Sequence, residues 1–193
     1  MLSELIDDNV ALLEQSAALI AAMPNGAYGS TPPGKRGGPG AHLRHLLDHY
    51  SALLDGVAGG RIDYEARARE PQLEVDPDFA CLRIERIIAR LKELAALERG
   101  APLHVVGDGH ATHSTLGREL QFLLSHTVHH QALIVLLAEP LGVIVDSSFG
   151  VAPSTLRHWG RLAPAAPLRQ ALEIPLRPEE ETAVPVRAGL EDS

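Results

Sequence analysis

Six of the ten histidines in this chain fall on two short segments at helical spacing. His42, His45 and His49 step along one segment by three and then four residues, and His126 and His130 sit four apart on another, with His129 between them. Residues three or four apart share one face of a helix. The face carrying His126 and His130 also carries Leu123, Leu133 and Leu137, so this pair is expected to point into the core. Two imidazoles on successive turns can bind one ion, and the pair then needs a third ligand from elsewhere. Burying unpaired imidazoles is costly, and protonating two neighbours together costs more. A divalent metal resolves both costs, since neutral imidazole nitrogens suit zinc, nickel, iron and copper. Spacing alone leaves another reading open, in which the pair is hydrogen-bonded to backbone carbonyls or water.

The other chemistry-bearing residues carry weaker signals. His45 lies one turn before His49 and is either an alternative ligand or a support for one. His42 falls at a helix start, and His129 is about 100° round the helix from His130. His104, His110 and His113 read as connector residues, and His158 beside Trp159 as local packing. Asp48 and His45 are the candidates for a general base. Arg44, Arg61, Arg67, Arg69 and Arg118 are read either as orienting an anionic substrate or thiol or, more simply, as surface and ion-pair residues. Cys81, the single cysteine, excludes an intramolecular disulfide and a cysteine-rich zinc site, and reads as a small apolar helix residue.

Composition removes several function classes. The formal net charge of −8 opposes binding to nucleic acid or to an anionic membrane surface, both of which need clustered Lys and Arg. No apolar run is read as approaching the roughly 20 residues that span a bilayer. The N-terminal residues lack the basic start of a secretory signal, and a cytoplasmic setting is the simplest expectation. No Ser/His/Asp set, P-loop or dinucleotide fingerprint is visible.

Four helical segments are available to position the histidines. The first runs from Leu2 to about Met23, with Leu5, Ile6, Val10, Leu13, Ala17 and Ile20 in register, and ends at Pro24-Asn25-Gly26. A Pro/Gly loop from Gly29 to Gly40 leads into the second, from Ala41 to about Val57. After a polar connector, the third runs from about Pro77 to Glu98 behind a cap at Asp76 or Asp78. Leu103 to Val106 reads as a short extended piece, with no convincing hairpin. The fourth helix runs from about Leu116 to Ala138, capped by Ser114 or Thr115, with Glu119 near its first turn. A helical turn follows around Ser154 to Gly160. The expected fold is all-α, an antiparallel four-helix bundle over residues 1–162, with an irregular, loosely packed C-terminal extension over 163–193.

Two stretches, LRHLLDHYSALL (43–54) and FLLSHTVHHQALIVLL (122–137), resemble the DinB/YfiT-like superfamily of four-helix metalloproteins. Its members carry one metal-binding histidine on the second helix and an HxxxH pair on the last. The resemblance spans roughly residues 38–140 and implies a metal site of His49, His126 and His130. It further implies a divalent ion (zinc or nickel foremost, iron next) with open positions for water or substrate. The chemistry implied is thiol S-transfer to, or hydrolysis of, a small molecule, with a low-molecular-weight thiol as cosubstrate and a homodimer as the assembly. A metal-stabilised helical module without catalysis, in a partner-binding or stress-response role, is the alternative. The Gly/Pro loop stands where relatives have a tryptophan-containing approach to the second helix, and FGVAPSTLRH has no counterpart in the family core.

Overall fold

The structure, a computed structural model, describes residues 1–162; the expected C-terminal extension lies outside the described residues. Four long helices close a ring: α1 (Leu2–Ala22), α2 (Pro39–Gly56), α4 (Pro77–Glu93) and α5 (Leu116–Ala138). Helix α1 packs on α4 and α5, and α2 packs on the same two helices from the other side. A one-turn helix α3 (Gln72–Val75) lies against α2, and α6 (Pro153–Leu162) follows the bundle.

Local chemistry sets the helix starts. The Asp76 carboxylate accepts the Phe79 N–H at 3.0 Å, and Pro77, which has no N–H to satisfy, opens α4. Thr115 does the same for α5, accepting the Arg118 N–H at 3.3 Å. The core is aliphatic: Leu13, Leu46, Leu47, Leu53, Leu91, Leu116 and Leu120 are all sealed from solvent. Polar side chains inside it tie the helices together. The buried Tyr50 hydroxyl of α2 donates to Asn9 Oδ1 of α1 at 2.7 Å, and Asn9 Nδ2 donates to the Leu120 carbonyl of α5 at 3.2 Å. Gln131 Nε2 donates to the Leu12 carbonyl at 2.8 Å, a second tie between α5 and α1.

Beside the helices lies a three-stranded sheet, of which the sequence pattern foresaw only the extended piece at Leu103 to Val106. Strand β1 (Arg61–Asp63) runs parallel to β2 (Pro102–Gly107), which pairs antiparallel with β3 (His110–Thr115). The hairpin turn is Asp108-Gly109, with φ of 51° and 74°. Positive φ at both central residues marks a primed turn, for which Asp-Gly is a preferred pair. His104 and His113 face each other across β2 and β3 with ring centroids 4.4 Å apart, so they are strand residues rather than loop residues. One further expectation is amended: α5 with the turn after it (Leu116–Leu141) is long and apolar enough to cross a membrane by length and composition. In this fold one face of it supplies core residues, among them Leu116, Leu120 and Leu123.

Candidate metal centre

Helices α2 and α5 lie side by side with their histidine faces toward one another. The ring nitrogens of His45, His49 and His126 offer three ligand atoms all within 4.8 Å of one another. His45 Nε2 and His126 Nε2 stand 3.1 Å apart. That separation is close to the edge of a tetrahedron of nitrogens around zinc, about 3.3 Å for bonds of about 2.05 Å. Of the ligands the resemblance implied, His49 and His126 belong to this group. His130 is beside it: its ring centroid lies 4.4 Å from that of His126 and 4.7 Å from that of His45, while its Nδ1 is 3.1 Å from His42 Nδ1. His42, at the start of α2, is therefore engaged with the cluster. His129 touches only the edge, its ring 5.2 Å from that of His130.

The His49 tautomer follows from its surroundings. His49 Nδ1 lies 2.9 Å from the carbonyl oxygen of His45, an acceptor only, so Nδ1 carries the proton and Nε2 keeps its lone pair. The same bond fixes the ring's rotation, as backbone carbonyls do for metal-ligating histidines.

The electrostatics favour neutral imidazoles. Burial pushes His45 down to about 3, with the charges of His49 and Arg67 adding to it. Burial pushes His49 and His126 each down to about 4, and His130 to about 3. Burial also lowers His42. Imidazoles that stay unprotonated at neutral pH present lone pairs to an ion without first losing a proton. Donor type, spacing and protonation state all fit a divalent metal.

Around this cluster the sequence reading fares unevenly. Asp48, a candidate base, is turned away: it is buried and paired with Arg44 at 3.0 Å, and Arg44 also bonds Glu74 at 2.6 Å. Burial raises the Asp48 carboxyl, and Arg44 opposes that rise. Arg44 is thus an ion-pair residue. Arg67 is not, for its Nη1 stands 3.0 and 2.9 Å from the two ring nitrogens of His49. Near-equal distances put it over the side of the ring between the nitrogens, off either lone pair.

Two functional neighbours escaped the sequence reading. Tyr64, just after β1, lies with its ring 5.4 Å from that of His49, and its hydroxyl donates to Glu119 Oε2 at 2.9 Å. Glu119, read as a first-turn acid, is buried and also accepts from the Ser114 hydroxyl. Burial and the Glu119 carboxylate both raise the Tyr64 phenol, which stays protonated. Phe122 completes this side, its ring 5.4 Å from those of Tyr64 and His126. No local pattern ties Tyr64 or Arg67 to the histidines, because they arrive on a loop set by the parallel pairing of β1 with β2.

Comparison with known proteins agrees with the geometry. Over an alignment of 104 residues, covering 50% of this chain and 27% of the relative, the chain is 35% identical to FK506-binding protein 5 of Rhizopus delemar. The chain thus spans about a quarter of that relative's length. No solved structure matches the chain significantly. The sequence profile of the DinB superfamily matches residues 10–134, which take in most of α1, α2, α4, the sheet and the histidine turns of α5. With the match covering more than half of its length, the chain belongs to the DinB superfamily.

Proposed function

We propose that the protein is a divalent-metal-dependent enzyme that activates a low-molecular-weight thiol or water for attack on a small molecule. The observation that carries this reading is the group of three half-buried to buried imidazoles on facing helices, all held neutral by their burial. A metal ion on three neutral ligands supplies Lewis acidity, lowering the pKa of water or a thiol or polarising a carbonyl. The chain's own part is to position and to exclude. His49 is oriented by the His45 carbonyl, and Phe122 and Tyr64 wall off one side of the cluster. The proposed ligands are His49 and His126, with the third position taken by His45 or by His130. Zinc or nickel is the expected ion, iron the next. We further propose a cytoplasmic setting, in keeping with the acidic composition and the single free cysteine, and a homodimer, to be checked by light scattering.

Metal analysis by inductively coupled plasma mass spectrometry on the untagged chain tests this reading. About one equivalent of metal is expected in the parent and a near-complete loss in His49→Ala and His126→Ala. Comparing His45→Ala with His130→Ala identifies the third ligand: the true ligand's variant loses metal by at least about tenfold in affinity. A folded parent that binds neither added zinc nor nickel overturns the metalloenzyme. Metal that is bound but sealed from exogenous thiols and small anions would instead favour a metal-stabilised module without catalysis.

A further inference from the structure

A cavity of about 560 Å³ opens between α2, α4 and the loop that follows β1, and its lining residue Arg67 touches the histidine cluster. Five arginines line it, Arg61, Arg67, Arg83, Arg86 and Arg90, against three aspartates. Its charges are not all compensated. Arg83 is paired with Glu70, Arg90 with Asp55 at 2.8 Å, and Arg61 reaches Asp63 at 3.9 Å. Arg67 and Arg86 make no ion pair among the described residues.

Arg67 is the unusual one. It is half-buried, and its Nε is fully covered yet has no hydrogen-bond partner. Its Nη1 faces the neutral rings of His49 and His45, and Asp48, the acid whose charge acts on it, is already held by Arg44. An unsatisfied buried guanidinium N–H costs free energy until an acceptor reaches it. A carboxylate offers two oxygens at the spacing of a guanidinium fork, and its single charge matches a single free guanidinium. The aspartates in the lining count against a compact group that concentrates two charges at Arg67, as a phosphate does. The cavity is of the size that takes a small organic molecule.

We infer that this cavity binds a small carboxylate-bearing molecule, with Arg67 holding the carboxylate and Arg86 at the outer end. Because Arg67 both lines the cavity and touches His49, a molecule held there has its carboxylate end nearest the histidine cluster. The assignment names the substrate class for the proposed enzyme and rests on that reading for what happens to the molecule, though not for its binding.

Calorimetry with succinate, and with inorganic phosphate and the neutral succinamide as comparisons, tests it on the full chain. Succinate is expected to bind with a Kd of about 1 mM or tighter, phosphate more weakly, and succinamide not at all. Arg67→Gln and Arg67→Lys should each weaken succinate by about tenfold or more, since the lysine keeps the charge but loses the fork. Arg118→Gln, which lies in another groove, should leave binding unchanged. Circular dichroism and metal content of each variant separate lost binding from lost fold or lost metal. His126→Ala, which removes the proposed metal, should still bind succinate, so that failure of the metal reading leaves this one standing. A parent that does not bind succinate, binding by both Arg67 variants as tight as the parent's, or tighter binding of phosphate overturns the inference.

Discussion

At the residue scale, the decisive property of the histidine cluster is its resistance to protonation. In an unfolded chain each imidazole titrates near 6.5, whereas in the fold burial holds His49 and His126 to about 4 and His45 and His130 to about 3. Between those limits the unfolded state binds more protons than the folded one, so stability falls as pH falls. The metal-free protein should therefore keep its full stability above about pH 7 and lose it progressively from about 6.5 toward 4, with the melting temperature dropping by at least about 5 °C. Thermal melts of chelator-treated protein across that range check this, and replacing His45 and His130 together by Ala should flatten the dependence. The i, i+4 pair His126 and His130 was legible because spacing on one helix is a property of that helix alone. The standing of His45 beside His49 was not, for it depends on how far α2 is displaced along α5, and one helical turn decides which ring faces which.

At the scale of elements, α2 is positioned by how closely its backbone can be approached. Gly40 lies in its first turn, where an added Cβ would sit 2.1 Å from the Glu74 carbonyl oxygen of α3. Its N–H donates to the Tyr28 carbonyl at 2.9 Å, and the Tyr28 hydroxyl donates to Leu73 of α3 at 2.5 Å. Substituting Gly40 by Ala must push α3 from α2, and a cost of about 1–3 kcal/mol is expected, read as a lower denaturation midpoint in urea. The helices themselves were readable from apolar periodicity, and Asp76 and Thr115 cap α4 and α5 as their residue types suggest. The hairpin was not, because β3 is exposed along most of its length and shows no apolar alternation. Its signal was the Asp108-Gly109 pair, which asks for positive φ at two successive residues.

At the scale of the whole molecule, the sheet and the helices meet at one buried carboxylate. Glu119 of α5 accepts from Ser114 at the end of β3 and from Tyr64 after β1. Asp63, one residue earlier, accepts the N–H groups of Glu65 and Ala66 and so turns the chain toward Arg67. This long-range arrangement joins residues far apart in the chain, and periodicity within one segment carries no trace of it.

The Glu119 junction makes Arg67, on the loop that follows β1, mechanically answerable to a residue with which it shares no hydrogen bond or ion pair. Tyr64 is the loop's only hydrogen-bonded side-chain anchor on α5 among the described residues, and Arg67 follows three residues later. Loosening the carboxylate should let the loop breathe while the helices hold. In Glu119→Gln, amide hydrogen exchange is expected to quicken over residues 64–68 by about tenfold, with the α1 and α2 amides unchanged. Exchange rates that match the parent across the loop would mean that the anchor carries no strain from helix to loop. A faster loop would show that the guanidinium beside the histidines is kept in place by an acid on α5.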